Sequence, residues 1–229
     1  MGYILLAGGA EFGGSMQIPD RRAIELAGGV EARVRIVPAA AAPDNNHRRA
    51  GHNGAQWFRK LGVKDVKVLP LIDRVSADAP DVISSISRSG LIYLLGGFPR
   101  HLEESLTGSL GWKAMLEACQ GGAVIAGSSA GAMVLCDHYY RPSARKVVKG
   151  LNLLPGTCFL PHHNTFGQSW ASELAALIPA IVLIGVDEET AILNDGPRGT
   201  WAVYGKGAAT IYRPSGPQIY RGGATFRLP

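Results

Sequence analysis

Cysteine is scarce in this chain of 229 residues: Cys119, Cys136 and Cys158 are the only three. Each sits among apolar neighbours and their spacing fits no metal-ligand pattern, so the expectation is reduced, buried thiols and no metal. No apolar run is long enough to span a bilayer, which argues against a membrane partner. The opening MGYILLAGG is too short for the apolar region of a signal peptide and has no basic flank, so the expected location is the cytoplasm. Net charge is +5, yet the basic residues are scattered and no Lys/Arg run carries interleaved aromatics. That excludes a nucleic-acid partner and leaves room for a mildly cationic site. Residues 8–14 are glycine-rich but lack G-x-G-x-x-G spacing, and Glu11 beside a phosphate would be unfavourable, which removes a dinucleotide reading. Neither an internal repeat nor a low-complexity linker divides the chain, so residues 1–229 read as a single domain.

What is present is alternation. Strands are expected over residues 3–7, 33–38, 65–71, 91–95 and 123–126, and helices over 50–61, 81–88, 102–106 and 111–120. Residues 39–54 read as the most loop-like segment. Strand–helix alternation of this kind predicts an α/β fold, a doubly wound, mostly parallel sheet with helices on both faces. After residue 180 the pattern changes to strands over 181–186, 190–194, 200–204 and 208–212 joined by short turns. These predict C-terminal antiparallel hairpins at the end of that sheet.

Residues 121–136, GGAVIAGSSAGAMVLC, carry the strongest chemical signal. An apolar strand enters a Gly-Ser-Ser-Ala-Gly corner and a small-residue helix leaves it. A serine at such a corner is exposed on a tight turn, and the N–H groups after it favour negative charge. Those are the needs of an acyl-transfer site, with Ser129 at the centre of G-x-S-x-G as nucleophile and Ser128 facing the interior. Gly8-Gly9 and Gly96-Gly97 also follow strands, so all three turns can gather at the carboxyl edge of one sheet.

A serine needs a base. His47 and His52 lie in the loop-like segment, and His101 at a helix start. His138, at the far end of the helix after Ser129, would stand about 13 Å from the elbow. His162 and His163 follow Pro161 at another strand exit, and one of this pair is the best base.

The elbow GSSAGA, the upstream LLGG, the segment LNLLPGTCFLPHHN and the later IGVDEETAIL together resemble the serine peptidases that include dipeptidase E (aspartyl dipeptidase) and cyanophycinase. The resemblance runs from residue 8 to about residue 205 in matching order and spacing. It implies a sheet like that of class I glutamine amidotransferases, no cofactor, and a homodimer. It implies Ser129 as nucleophile, His162 as base, and the N–H groups of Gly97 and Ala130 as oxyanion donors, with His163 in a position usually aromatic. For the third member, the dipeptidase E-like aspartate would fall near Ala144 and is absent, with Asp137 its nearest substitute. The cyanophycinase-like strand end corresponds to residues 185–191, which favours Glu188 over Asp187 and Glu189.

Substrate determinants depart from the pattern. Residues 164–173 contain no arginine, and Phe98-Pro99-Arg100-His101 follows Gly96-Gly97 where the family often has Asn and a polar neighbour. Both departures tell against strict Asp preference. Phe98, Arg100 and His163 are the expected substrate contacts; Arg141, Arg145 and Lys146 are further cations, and Phe166 and Trp170 are candidates for an apolar subsite. The expected activity is that of a serine exopeptidase or dipeptidase on short peptides. The alternatives are a cyanophycinase-like hydrolase of acidic isopeptides, an esterase or acyl transferase on the same elbow, and a binding protein that keeps the fold without catalysis.

Overall fold

The computed structural model describes residues 2–229. The chain begins with β1 (Tyr3–Ala7), α1 (Gln17–Leu26), β2 (Arg33–Val37), α2 (His47–Lys60) and β3 (Asp65–Val68). It continues through the short helices α3 (Arg74–Ala77) and α4 (Pro80–Ser87) to β4 (Leu91–Leu94), α5 (Pro99–Leu106), α6 (Leu110–Gln120), β5 (Val124–Ser128) and α7 (Ala130–Leu135). Then come β6 (Cys136–Arg141), β7 (Lys146–Lys149), β8 (Leu154–Leu160), α8 (Ala171–Leu177) and β9 (Val182–Val186). The last elements are β10 (Thr190–Leu193), β11 (Trp201–Gly205), β12 (Ala208–Arg213), β13 (Gly216–Arg221) and β14 (Thr225–Phe226).

Two sheets form rather than one. The eight-stranded sheet has the order β14-β11-β10-β1-β5-β4-β2-β3. Its β1, β5, β4, β2 and β3 are mutually parallel. Alternate residues of these strands serve opposite faces. Leu5, Tyr93, Val124 and Ala126 pack with Ala23 and Ile24 of α1 and Ala55 and Phe58 of α2. Ile4, Leu6, Ile92, Leu94 and Ile125 pack with α4, α5, α6 and α7 on the other face. Strands covered on both faces favour apolar residues throughout, which is why β1, β4 and β5 read as near-continuous runs, whereas β2 buries Arg35 against Asp65 and β3 is exposed at Lys67 and Val68. Each Leu or Ile buried this fully stabilises the fold by roughly 1.5–3 kcal/mol.

The expected hairpins divide between the two sheets. β10 and β11 do extend the first sheet antiparallel to β1. β9 and β12 instead build a second, six-stranded sheet of order β13-β12-β9-β8-β6-β7. The reason is burial: Leu183, Ile184, Gly185 and Val186 of β9 are all buried, so this strand needs cover on both faces. Ile184 and Val186 join the main core beside α7, whereas Leu183 packs with Cys158, Leu160, Ala171 and Leu174 under α8.

Two further expectations are corrected. Residues 39–54 are not mainly loop: a 3-10 turn spans Ala39–Ala41 and α2 starts at His47, so His47 and His52 are helical. The helix after Ser129 stops at Leu135, and Asp137 and His138 lie on β6. It ends there because the carbonyls of Val134, Leu135 and Cys136 accept N–H groups of Leu151, Leu153 and Asn152 instead of continuing a helical ladder. The three cysteines are free and buried. No helix among the described residues is long and apolar enough to cross a membrane.

Candidate active site

The carboxyl end of β5 feeds directly into Ser129, whose backbone is held at φ 49°, ψ −112°. A non-glycine residue with positive φ is strained and needs surrounding structure to hold it. Here close packing does so: a Cβ on Gly127 would lie 2.5 Å from the carbonyl carbon of Gly131, and one on Gly131 would lie 2.3 Å from the Leu94 carbonyl oxygen. Only glycine at both ends lets α7 leave the strand this tightly. Ser128 is fully buried, and its Oγ donates to Glu11 Oε2 at 2.9 Å.

His162 follows β8 and is also at positive φ, 49°. Its Nε2 lies 3.0 Å from Ser129 Oγ and its Nδ1 lies 2.7 Å from Glu188 Oε1. With the carboxylate accepting the Nδ1 proton, the Nε2 lone pair faces the serine. The Glu188 N–H donates to Asn164 Oδ1 at 2.9 Å, which ties the acid to the loop that carries the base. The Phe166 ring stacks on the imidazole with centroids 4.9 Å apart and planes 26° apart. Three consecutive carbonyls at the exit of β1 fix these segments. Ala7 accepts the Ser129 N–H at 3.0 Å, Gly8 the His162 N–H at 2.7 Å and Gly9 the Glu189 N–H at 3.1 Å. Gly9, at φ 126°, has no room for a side chain: a Cβ would lie 2.2 Å from His162 Cε1.

The other carboxylates weighed for the third position are engaged elsewhere. Asp187 Oδ2 accepts the Ala208 N–H at 2.8 Å. Glu189 Oε2 accepts the Ser15 N–H at 3.1 Å, which holds its carboxyl below the usual glutamate range. Asp137 sits 3.2 Å from Nδ1 of its neighbour His138 on β6.

A cavity of about 360 Å³ opens over Ser129. Gly97, Ala130, Phe98 and Arg100 are among the residues that line it. Ala130 opens α7, where the N–H groups of the first turn have no intrahelical acceptor. Arg100 is exposed, and its Nε donates to Glu104 Oε1 at 2.6 Å. His163 does not reach the cavity, which corrects its assignment as a substrate contact. It is 5% exposed, with Nε2 2.8 Å from the Tyr212 hydroxyl and Nδ1 3.6 Å from Asp187. Burial lowers its pKa below the usual histidine value, against the raising influence of Asp187. Its N–H bonds to the Val186 carbonyl, so the chain turns the two neighbouring rings to opposite sides. His101 likewise points away, with Nε2 2.7 Å from the Ile72 carbonyl. Arg145 pairs with Glu173 at 3.0 Å.

Sequence reasoning missed Asn164, Met133 and Tyr140. Nothing in their local pattern signals a site: Met133 lies one helical turn after Ser129 on α7, Asn164 two residues after His162, and Tyr140 arrives on β6. Among the described residues no group of three or more His, Cys, Asp or Glu side chains could hold a metal ion.

Comparison with known proteins converges on one group. The family model described as Peptidase family S51 matches residues 4–200. A cyanophycinase from Synechococcus elongatus is 28% identical over 234 aligned residues, covering 93% of this chain and 68% of that protein. The crystal structure of a peptidase from an acI-B1 Actinobacterium superposes with a TM-score of 0.88 at 26% identity, covering all of this chain and 97% of the other. A Listeria monocytogenes EGD-e chain assigned to peptidase E shares the fold at 16% identity, with a TM-score of 0.60 over 96% of this chain and 98% of that one.

Proposed function

Because the chain belongs to peptidase family S51, and with it to the serine peptidases, we propose that Ser129, His162 and Glu188 hydrolyse short peptides as a catalytic triad. The observation that carries this reading is the unbroken relay from Ser129 Oγ to His162 Nε2 at 3.0 Å and from His162 Nδ1 to Glu188 Oε1 at 2.7 Å. His162 takes the Ser129 proton as Oγ attacks the peptide carbonyl, and the N–H groups of Gly97 and Ala130 receive the oxyanion. Glu188 holds the imidazole in the productive tautomer and offsets its positive charge once it is protonated. His162 returns the proton to the leaving amine, an acyl-enzyme remains, and the same imidazole activates the water that releases it.

The size of the cavity supports a dipeptidase or exopeptidase, since about 360 Å³ accommodates one side chain and its flanking backbone, not a folded segment. The cyanophycinase relatives favour a second reading, hydrolysis of acidic isopeptides. Against it stands a segment after His162 in which residues 164–173 offer no arginine for an acidic side chain.

The test is a dipeptide and tripeptide library read by mass spectrometry, run on the wild type and on Ser129→Ala. The variant should lose essentially all hydrolysis while its thermal midpoint is retained. Hydrolysis that survives the substitution in a clean preparation refutes the nucleophile.

A further inference from the structure

The walls of the cavity above Ser129 are aromatic and apolar to an extent that an acidic substrate would not need. Four rings form a continuous row away from the base. His162 stacks on Phe166 at 4.9 Å, Phe166 meets Trp170 at 5.3 Å, and Trp170 meets Tyr140 at 5.5 Å. Phe98 also lines the cavity. Phe98 and Phe166 are 47% and 48% exposed, unusual for such large apolar groups unless something else covers them.

The polar groups nearby are already engaged. The Tyr140 hydroxyl donates to Glu173 at 2.7 Å, Glu173 also pairs with Arg145, and Arg100 pairs with Glu104. Arg141 lines the cavity and forms no ion pair among the described residues. A carboxylate placed between these rings would give up water and meet Arg141 and an Arg100 already paired with Glu104, a poor exchange for a charged group. A ring placed there would make offset or edge contacts with Phe98, Phe166 and Trp170 and displace water from all three.

We propose that this cavity is a side-chain subsite for an aromatic or large aliphatic residue next to the scissile bond, so that the preferred substrates are short peptides bearing Phe, Tyr or Leu there, not Asp. The inference rests on the peptidase reading of Ser129, and two separate measurements keep them apart. The first is covalent labelling of the wild type at Ser129 by a small fluorophosphonate. The second is kcat/KM for matched dipeptides that differ in one residue, Phe, Leu, Ala or Asp, at each position in turn. An apolar pocket discriminates by about 10-fold or more for each methylene it loses, so Phe should exceed Asp by at least about 50-fold at one position.

Phe98→Ser and Trp170→Ala should each erode the ratio of Phe to Asp by about 10-fold. Phe98 is half-exposed and gives a variant that folds even if Trp170→Ala does not. Labelling at Ser129 with Asp equal to or better than Phe overturns the subsite and leaves the peptidase standing. A Phe preference that neither variant erodes also overturns it, because the selectivity then lies elsewhere. Failure of both labelling and hydrolysis overturns both readings.

Discussion

Glu188→Gln separates a working triad from a chance contact, because it keeps shape and removes charge. Two effects combine. The first is electrostatic: with unit charges about 4 Å apart, a carboxylate stabilises the imidazolium by about 4 kcal/mol at an effective dielectric of 20 and about 1 kcal/mol in bulk water. The Glu188 side chain is 36% exposed and that of His162 20%, so the interaction falls between these limits, near 3 kcal/mol, or roughly 10²-fold in rate. The second is orientation: a glutamine can turn its amide N–H toward Nδ1, which leaves a proton on Nε2 where a lone pair must face Ser129. Fully buried triads lose about 10⁴-fold when the tautomer inverts. Partial exposure makes the expected loss in kcat for Glu188→Gln about 10²–10³-fold, with little change in KM. The assay is steady-state hydrolysis of the best dipeptide from the library. Asp187→Asn and Glu189→Gln serve as comparators, since both carboxylates bond to backbone N–H groups away from the imidazole and should cost less than about 5-fold. A Glu188→Gln enzyme within that comparator range, or an Asp187→Asn enzyme that loses more, refutes the relay.

The remaining predictions concern what holds the site. Asp20 is fully buried, accepts the Trp57 Nε1–H at 2.8 Å, and its carboxyl is pushed up to about 7, chiefly by burial. Above its ordinary value near 3.8 the unfolded chain releases this proton while the folded chain keeps it. Stability therefore falls as pH rises from about 4 and the loss is complete above about 7, a total on the order of 4 kcal/mol. Urea midpoints across pH 4–8 should show this decline in the wild type and a flatter profile in Asp20→Asn; parallel profiles would refute it. Glu11→Ala leaves the buried Ser128 hydroxyl without its acceptor and should destabilise by about 1–3 kcal/mol, read as a lower urea midpoint; an unchanged midpoint would rule Glu11 out as a support of the elbow. Gly9→Ala drives a methyl group into the imidazole edge and should cut kcat by about 10²-fold through misplacement of the base, whereas full activity would show that the imidazole has slack.

The parallel half of the fold is legible in the sequence because its central strands are buried on both faces and its helices on one, so each carries its own period. The elbow is legible for a different reason, that two close backbone approaches force glycine at 127 and 131. What the sequence hides is pairing between distant segments. β6 reads as the end of the helix after Ser129, and of β8 only the short apolar run before Pro161 reads as strand, until β6 pairs parallel with β8 and β8 with β9. α1 carries Pro19 and two arginines in ten residues, a weak helical period, and becomes a helix by packing Ala23 and Ile24 on the sheet. At the site the same limit applies. Residues 162–163 and 187–189 are identifiable as groups, but only the backbone decides which member turns inward. His162 bonds to Gly8 and faces Ser129, and His163 bonds to Val186 and faces Tyr212.

That choice is made largely by β1, the strand that contributes no side chain to the proton relay. The carbonyls of Ala7, Gly8 and Gly9 point in turn at the backbones of Ser129, His162 and Glu189, three segments from distant parts of the chain. Ser129, His162 and Glu189 are also among the few non-glycine residues at positive φ, at 49°, 49° and 53°. Strained residues of this kind cost about 1–3 kcal/mol each and persist only where their surroundings over-determine them. A single backbone hydrogen bond contributes about 1 kcal/mol net, so the three bonds together match only the low end of that strain. The difference must come from the packed core beneath, where Leu5, Leu6, Ile125 and Ala126 are wholly buried and hold β1 and β5 in register up to Ala7 and Ser128. The relay is thus short because the centre of the sheet is rigid, and substitutions that loosen Leu5 or Ile125 should act on the site through the strand exits.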